Sequence, residues 1–197
     1  MRRDPLALRR ALTQVAAQQA GHFSAQQALE VGYTYQVQRY HVQRGEWLRV
    51  DRGIFRLTDW PTSQHEDLVR WTLWSRGRAV ISHETALAVL ELGEVMPARV
   101  HITVSPGFRM RASAVVVHRA LLEPSEVEAF EGFSVTTPVR SILDAAAGGT
   151  EVDQLARTIR DALERGLLTA RSLRARADKF GATAALAIER ALRQEDL

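Results

Sequence analysis

The sequence predicts an α+β protein of two domains. Apolar residues recur at helical spacing up to residue 44 and then alternate, as in strands, in two short runs before residue 58. From residue 61 to about residue 150, strand-like and helical segments are interleaved, and beyond that point every segment has helical spacing. We therefore expect one domain at residues 1–60 and a mixed α/β domain at residues 61–197, whose C-terminal part is a helical tail.

Three short helices are predicted in the N-terminal domain. An apolar stripe over residues 6–20 indicates the first helix. Ser24 is a suitable N-cap for a second helix over residues 25–31, and Thr34 is one for a third helix over residues 35–44. Both caps are expected because a hydroxyl oxygen can accept a hydrogen bond from a free N–H of the first helical turn.

A β-hairpin is predicted directly after the third helix. Residues 47–50 and 54–57 alternate as strands do, and Asp51-Arg52-Gly53 joins them with a good turn sequence. Three helices followed by a hairpin are the element order of a winged helix-turn-helix. Trp60-Pro61 breaks the pattern, so we place the end of this domain there.

Helices and strands are predicted to alternate in the second domain. Ser63 and Glu66 have capping-box spacing at the start of one helix, and Ser82 is a predicted N-cap for the next. Strands are predicted at residues 79–81, 99–104, 114–118 and 132–135. The tail is predicted to be all helix from residue 151, with breaks at Gly166 and Gly181.

The third predicted helix carries side chains that suit the edges of DNA bases. In a helix-turn-helix this helix enters the major groove, where arginine can bind guanine and glutamine can bind adenine. One arc of the helix holds the candidate base-contacting residues Tyr35, Gln36, Arg39 and Gln43, and Thr34 precedes them. The opposite arc, which we expect to pack on the first two helices, holds Val37, Tyr40 and His41.

Phosphate contacts are expected around these base contacts. Gln38 and Arg44 lie at the edges of the exposed arc, and Arg49, Arg52 and Arg56 on the hairpin are expected to reach the backbone or the neighbouring minor groove. Residues 1–57 contain nine arginines against four acidic residues, although the formal net charge of the whole chain is only +3. We therefore expect double-stranded DNA as the partner.

The composition narrows the functional classes further. There is no cysteine, which excludes disulfides, cysteine-ligated zinc and thiol catalysis. No apolar run approaches the roughly 18 residues of a membrane span, and the first twelve residues lack the apolar core of a secretion signal. We expect a cytoplasmic protein that does not associate with membranes.

No catalytic set, metal site or cofactor site is predicted. Ser82, His83 and Glu84 are neighbours at a helix start, where side chains point in different directions, so no Ser-His-acid relay is expected. The six histidines lack paired zinc spacing; His101 and His118 can face each other on adjacent strands but are interpreted as core or surface residues. Neither GxxxxGK nor GxGxxG occurs, so no nucleotide cofactor is expected. The chain is not expected to be an enzyme.

Residues 21–57 resemble the N-terminal domain of the AbiEi family, the antitoxins of type IV toxin–antitoxin systems. The resemblance rests on a helix ending in Arg44-Gly45, a tryptophan-leucine strand, and the run Arg52-Gly53-Ile54-Phe55-Arg56-Leu57. It continues in the runs Ile81–Leu87, Val100–Val104 and Thr136–Asp144, and it covers most of residues 10–147. It implies a DNA-binding autorepressor that counters a separately encoded nucleotidyltransferase-like toxin without a stable complex.

Two other functions remain open on the sequence. One is a one-component regulator that senses a small ligand in the second domain and has no toxin partner. The other is a DNA-targeted nuclease, although such a site needs metal-binding acids near a lysine, and the single lysine, Lys179, lies far from the strands. For DNA binding we expect an inverted repeat in the promoter of the chain's own operon, contacted by a homodimer or by cooperative monomers.

Overall fold

The computed structural model describes residues 4–194, which form an α+β structure with nine α-helices and two β-sheets. The helices are α1 (Pro5–Ala17), α2 (Ala25–Val31), α3 (Tyr35–Gln43), α4 (Glu66–Trp74), α5 (His83–Val89), α6 (Pro138–Gly148), α7 (Val152–Glu164), α8 (Ala170–Phe180) and α9 (Ala182–Gln194). The strands are β1 (His22–Ser24), β2 (Trp47–Asp51), β3 (Ile54–Leu57), β4 (Val80–Ile81), β5 (Val100–Val104), β6 (Val115–Arg119), β7 (Val127–Phe130) and β8 (Phe133–Thr136).

The described residues divide into two compact units. The first contains the chain up to residue 79 together with residues 130–133, and the second contains residues 80–129 and 134 onward. Helix α4 therefore belongs with the first unit, whereas the sequence analysis set the domain boundary near residue 60. Ion pairs explain the difference: Glu66 of α4 lies 3.1 Å from Arg56 of β3, and Arg70 of α4 lies 3.8 Å from Asp51 of β2.

A three-stranded antiparallel sheet in the order β1-β3-β2 organises the first unit. Strand β1 was not predicted. It pairs His22 with Arg56 and Ser24 with Ile54. Helix α2 has the predicted bounds, and the hydroxyl of Ser24 accepts a hydrogen bond from the backbone N–H of Gln27 at 3.1 Å.

Aromatic rings form the centre of the first unit's core. The rings of Phe23 and Trp47 meet edge to face with their centroids 4.8 Å apart, and Tyr33 and Phe55 pack on the same tryptophan. Leu12 of α1 is buried in this cluster. Aromatic pairs in such geometry add about 0.5–1.5 kcal/mol to what burial alone contributes. The cluster therefore holds α1 and the start of α3 against the sheet.

The second sheet has five strands in the order β6-β5-β4-β8-β7. Strand β5 runs parallel to β6 and antiparallel to β4, and β4 runs parallel to β8. The four strands predicted in the second domain are all present within a residue or two of their expected bounds, whereas β7 was not predicted.

Five helices form the larger core of the second unit. Leu87 of α5, Ile142 of α6, Ile159 of α7, Leu173 of α8 and Ile188 of α9 are all fully buried in one cluster. The C-terminal helices, separated at the predicted breaks, are thus part of this core and not an appended tail. Among the described helices, none combines the length and the apolar character that crossing a bilayer requires.

Two predicted helix caps differ from expectation. Of the capping box predicted for Ser63 and Glu66, one half forms, since the backbone N–H of Ser63 donates to Oε1 of Glu66 at 3.1 Å. The hydroxyl of Ser63 instead accepts a hydrogen bond from the backbone N–H of His65 at 3.3 Å, and α4 begins at Glu66 with His65 in the N-cap position. Ser82 does hold the N-cap position of α5 but makes no side-chain cap hydrogen bond there. Its hydroxyl instead accepts a hydrogen bond from Thr103 of the adjacent strand at 2.8 Å.

Candidate nucleic-acid interface

Helix α3 presents the predicted base-contacting side chains to solvent. Its start is fixed by Thr34, whose hydroxyl accepts a hydrogen bond from the backbone N–H of Val37 at 3.4 Å. The four residues predicted to contact bases are all exposed: Tyr35, Gln36, Arg39 and Gln43. The guanidinium of Arg39 has no ion-pair or hydrogen-bond partner among residues 4–194.

The buried face of α3 differs from the predicted one. Gln38 is only 2% exposed, and its Nε2 donates hydrogen bonds to the backbone carbonyls of Ala25 at 3.0 Å and Tyr33 at 2.9 Å. Ala25 begins α2 and Tyr33 follows it, so this side chain joins α3 to the preceding helix and its turn. The prediction that Gln38 contacts a DNA phosphate is therefore wrong, because both N–H donors are used inside the protein.

Val37 and Tyr40 lie on the outer surface of α3 and not in the core. They are 39% and 52% exposed, whereas His41, the third residue of the predicted inner arc, does pack inward with its ring stacked on Trp47 at 4.8 Å. The predicted inner and outer faces of α3 were wrong because apolar and aromatic residues were assigned to the core and glutamine to the surface. The hydrogen bonds of Gln38 set the opposite orientation.

Arg44, at the C-terminal end of α3, is exposed but already engaged. Its Nε lies 3.1 Å from Oε1 of Glu46, and its Nη1 donates to the hydroxyl of Tyr40 at 3.2 Å. The hydrogen bond of His41 to Glu46, more than that of Arg44, holds the pKa of Glu46 below its ordinary value. A phosphate at this position competes with a charged carboxylate for the guanidinium.

The hairpin of β2 and β3 carries two free arginines. Arg49 and Arg52 are exposed, and neither guanidinium has a partner within the described part of the chain. The turn between the strands is closed by Asp51, whose carboxylate accepts a hydrogen bond from the backbone N–H of Arg52 at 2.6 Å. Gly53 follows with a φ of 72°, a left-handed conformation that favours glycine.

Arg56, the third hairpin arginine, is buried. It is 7% exposed, its Nη2 donates to the carbonyl of Trp60 at 2.7 Å, and the same nitrogen lies 3.1 Å from Glu66. The prediction that Arg56 reaches DNA is therefore wrong. As a hairpin arginine it was expected to reach DNA, but β3 is the central strand of its sheet and the guanidinium pairs with Glu66, which begins the next helix.

A second group of polar residues gathers in the second unit. His83, His101 and His118 have ring nitrogens within 4.8 Å of one another, and the contact of His101 with His118 that their strands allowed is confirmed at 3.2 Å. Ser82 and His83 do touch, with 3.0 Å between Oγ and Nδ1, so the prediction that these neighbours point apart is wrong. Glu84 instead faces His101, which leaves no relay through the three neighbours.

No protein-family model and no curated protein sequence matches this chain. Among solved structures, the chain is similar to the Rv2827c protein from Mycobacterium tuberculosis, with a TM-score of 0.62 and 15% sequence identity. The similarity covers 98% of this chain and 78% of that chain. At this level of identity, the likeness shows a shared fold alone.

Proposed function

We propose that this chain is a DNA-binding transcriptional regulator whose first unit acts as a winged helix-turn-helix. The observation that carries the proposal is the free guanidinium of Arg39 in the middle of an exposed, glutamine-bearing face of α3. The element order α1-β1-α2-α3-β2-β3 supports it, because a β-hairpin follows the base-reading helix in domains of this type. The sheet order β1-β3-β2 is consistent with the same assignment.

Helix α3 is the proposed base-reading element. Gln36, Arg39 and Gln43 follow one another at spacings of three and four, so their side chains lie along one strip of the helix. Arginine can bind both O6 and N7 of guanine, and glutamine can bind N6 and N7 of adenine. The strip therefore suits a short mixed sequence in the major groove.

The hairpin is the proposed phosphate-contacting element. Arg49 and Arg52 are exposed and free of ion pairs with residues 4–194, so no internal contact has to break before they meet DNA. Arg56 and Gln38 take no part, because both are buried and hydrogen-bonded inside the first unit. The proposed contact set is Thr34, Tyr35, Gln36, Arg39, Gln43, Arg44, Arg49 and Arg52.

Two alanine variants of the full chain test the division between base reading and phosphate contact. Fluorescence anisotropy is measured with the promoter fragment of the chain's own operon and with a scrambled duplex, at several salt concentrations. Arg39→Ala is expected to cost about 1–3 kcal/mol on the promoter and less on the scrambled duplex. Arg52→Ala is expected to weaken both complexes alike and to lower the salt-dependence slope by about one.

Arg171→Ala serves as the matched control for both variants. This arginine is also exposed and has no partner among the described residues, but it lies on α8 of the second unit. It is expected to leave both affinities unchanged. If Arg39→Ala weakened binding to the two duplexes equally, Arg39 would be a phosphate contact and not a base contact. If it weakened binding to neither, α3 would not be the base-reading helix.

A two-fold operator is part of the proposal. One module of this size covers few base pairs, and specific affinities of about 10⁻⁸ M or tighter usually require two half-sites. We expect an inverted repeat in the promoter, bound by a homodimer or by cooperative monomers. Footprinting at saturating protein tests this, and protection of a single half-site would contradict it.

The resemblance of residues 21–57 to the AbiEi family adds the biological setting. On this basis the chain represses its own operon and acts as the antitoxin of a nucleotidyltransferase-like toxin, without binding that toxin stably. A full-length Arg39→Ala, Gln43→Ala variant expressed from an unrelated promoter is expected to lose repression and to keep rescue of toxin-expressing cells. Loss of rescue together with repression would show that the two roles are not separate.

The proposal includes no catalytic step. Ser82 is fully buried, and its histidine neighbour belongs to a cluster that joins three secondary-structure elements. Incubation of the protein with labelled duplex and divalent metal is expected to leave the DNA intact. Cleavage that depends on the protein would favour the nuclease alternative.

A further inference from the structure

Four side chains of types that can ligate a metal ion converge in the second unit. His83 and Glu84 come from the start of α5, His101 from β5 and His118 from β6. One ring nitrogen of each histidine lies within 4.8 Å of those of the other two. The parallel register sets His118 opposite Thr103, which places it diagonally beside His101 on the same face.

The distances within this group match the spacing of ligands around a metal ion. Nδ1 of His101 lies 3.2 Å from Nε2 of His118 and 3.1 Å from Oε2 of Glu84. Two ligand atoms that are each 2.0–2.1 Å from a tetrahedral zinc ion are about 3.3 Å apart. The two separations measured from Nδ1 of His101 are therefore those expected for ligand atoms that share one ion.

Hydrogen bonds among these four side chains leave one buried oxygen atom, Oε2 of Glu84, without a donor. A neutral imidazole carries one N–H, so the 3.2 Å contact of His101 with His118 is one hydrogen bond, with either ring as its donor. Oε2 of Glu84 is buried and accepts no hydrogen bond from the described residues. A buried carboxylate oxygen without a hydrogen bond is costly, and a cation at this point would contact Oε2 of Glu84, Nδ1 of His101 and Nε2 of His118 at once.

Neighbouring hydroxyl groups orient the ligands. Oγ of Ser82 lies 3.0 Å from Nδ1 of His83, and when this nitrogen donates to it, Nε2 of His83 carries the free lone pair. Thr103 holds the Ser82 hydroxyl in place by donating to it at 2.8 Å. Thr150 donates to Oε1 of Glu84 at 2.6 Å, which fixes the carboxylate and leaves Oε2 directed to His101.

We propose that His83, His101, His118 and Glu84 bind one divalent transition-metal ion, with the three-imidazole, one-carboxylate ligand set that suits zinc. Because protein side chains supply four ligands, the ion has a structural role that ties α5 to β5 and β6. The alternative is a purely hydrogen-bonded histidine group, in which the rings of His83 and His118 stack with centroids 3.4 Å apart.

Metal uptake by the full chain tests the proposal. The protein is prepared without a histidine tag, dialysed against a chelator and titrated with Co²⁺, whose visible ligand-field absorption reports the ligand geometry. We expect one equivalent of Co²⁺ in a tetrahedral spectrum, displacement of cobalt by Zn²⁺, and a higher melting temperature with Zn²⁺ present. Wild-type protein that shows no saturable uptake would overturn the proposal.

Single substitutions assign the ligands. His101→Gln and His118→Gln are expected to abolish the cobalt spectrum, whereas His65→Gln, which changes a half-buried histidine of the first unit, is expected to keep it. Glu84→Gln preserves the side chain's size and its contact with Thr150, and is expected to weaken binding at least about tenfold. Circular dichroism establishes that each variant folds. A tetrahedral spectrum that persists in folded His101→Gln and His118→Gln would refute this site.

Discussion

Gln38 offers the sharpest test of how the first unit is held together. The substitution Gln38→Ala removes the two hydrogen bonds that its Nε2 donates to the carbonyls of Ala25 and Tyr33. Each such bond contributes about 0.5–1.5 kcal/mol net. We therefore expect the free energy of unfolding of the first unit to fall by about 2 kcal/mol. Gln38→Glu, which places carboxylate oxygens against the same carbonyls, is expected to cost more.

Tryptophan fluorescence measures this loss selectively. The four tryptophans of the chain lie at positions 47, 60, 71 and 74, all within the first unit. With an m-value of about 1–2 kcal/mol/M for a unit of this size, a loss of 2 kcal/mol lowers the urea midpoint by about 1–2 M.

Gln36→Ala is the matched control, because Gln36 lies two residues away on the exposed face of α3. It is expected to leave the free energy of unfolding unchanged within about 0.5 kcal/mol and to weaken promoter binding. The reasoning is refuted if Gln38→Ala leaves the midpoint unchanged and selectively weakens DNA binding, since Gln38 would then contact DNA as the sequence first suggested.

Three further predictions concern the second unit. Far-UV circular dichroism is used to monitor its unfolding. Arg140→Met is expected to cost about 3–5 kcal/mol, because the buried guanidinium lies 2.7 Å from Glu126 and 3.0 Å from Asp144, and its loss leaves both carboxylates unpaired; a cost equal to that of Arg171→Met would contradict this. Burial raises the pKa of Asp144 to about 6 despite its contact with Arg140, so the native state loses stability as the pH rises from about 4 to about 6. Asp144→Asn should remove that loss, and its stability relative to wild type should therefore increase with pH in urea titrations; a constant difference would argue against the raised pKa. Gly93→Ala is expected to cost about 2–4 kcal/mol, because φ is 70° and a Cβ atom would lie 2.8 Å from the backbone of Thr158. Gly166→Ala, with φ of 66° and nothing within 4 Å, should cost only about 1 kcal/mol, and equal costs would show that the close approach to Thr158 is unimportant.

Local signals made the helices of the first unit predictable. Ser24 as N-cap gave the start of α2 and Thr34 gave the start of α3, and the structure adds the side chain of Gln27, which completes a capping box with Ser24. These signals act within a single turn of chain, so one sequence is enough to reveal them. Strands β1 and β7, with three and four residues, were not predicted.

Non-local contacts explain the residues whose positions were predicted wrongly. Gln38 is buried because two carbonyls near α2 need donors, and Arg56 is buried because Glu66 begins the following helix. Neither requirement can be deduced from the local pattern of polar and apolar residues. The histidine cluster is an extreme case, since His83, His101 and His118 lie on three separate elements and share no sequence spacing that a motif could capture.

Residues 130–133 belong to the first unit although they follow its main segment by about fifty residues, and this affects how the nascent chain folds. After residue 79 has been synthesised, the ribosome must add about fifty more residues before this unit has all its parts, which takes roughly 3–10 s at ~5–20 residues per second. During this interval His65 lacks the ring of Phe133, whose centroid lies 5.7 Å from its own in the finished protein. The surface around Val69 likewise remains uncovered until Gly132 arrives beside it. The first unit therefore stays incomplete, with these surfaces uncovered, until the hairpin of β7 and β8 has been made.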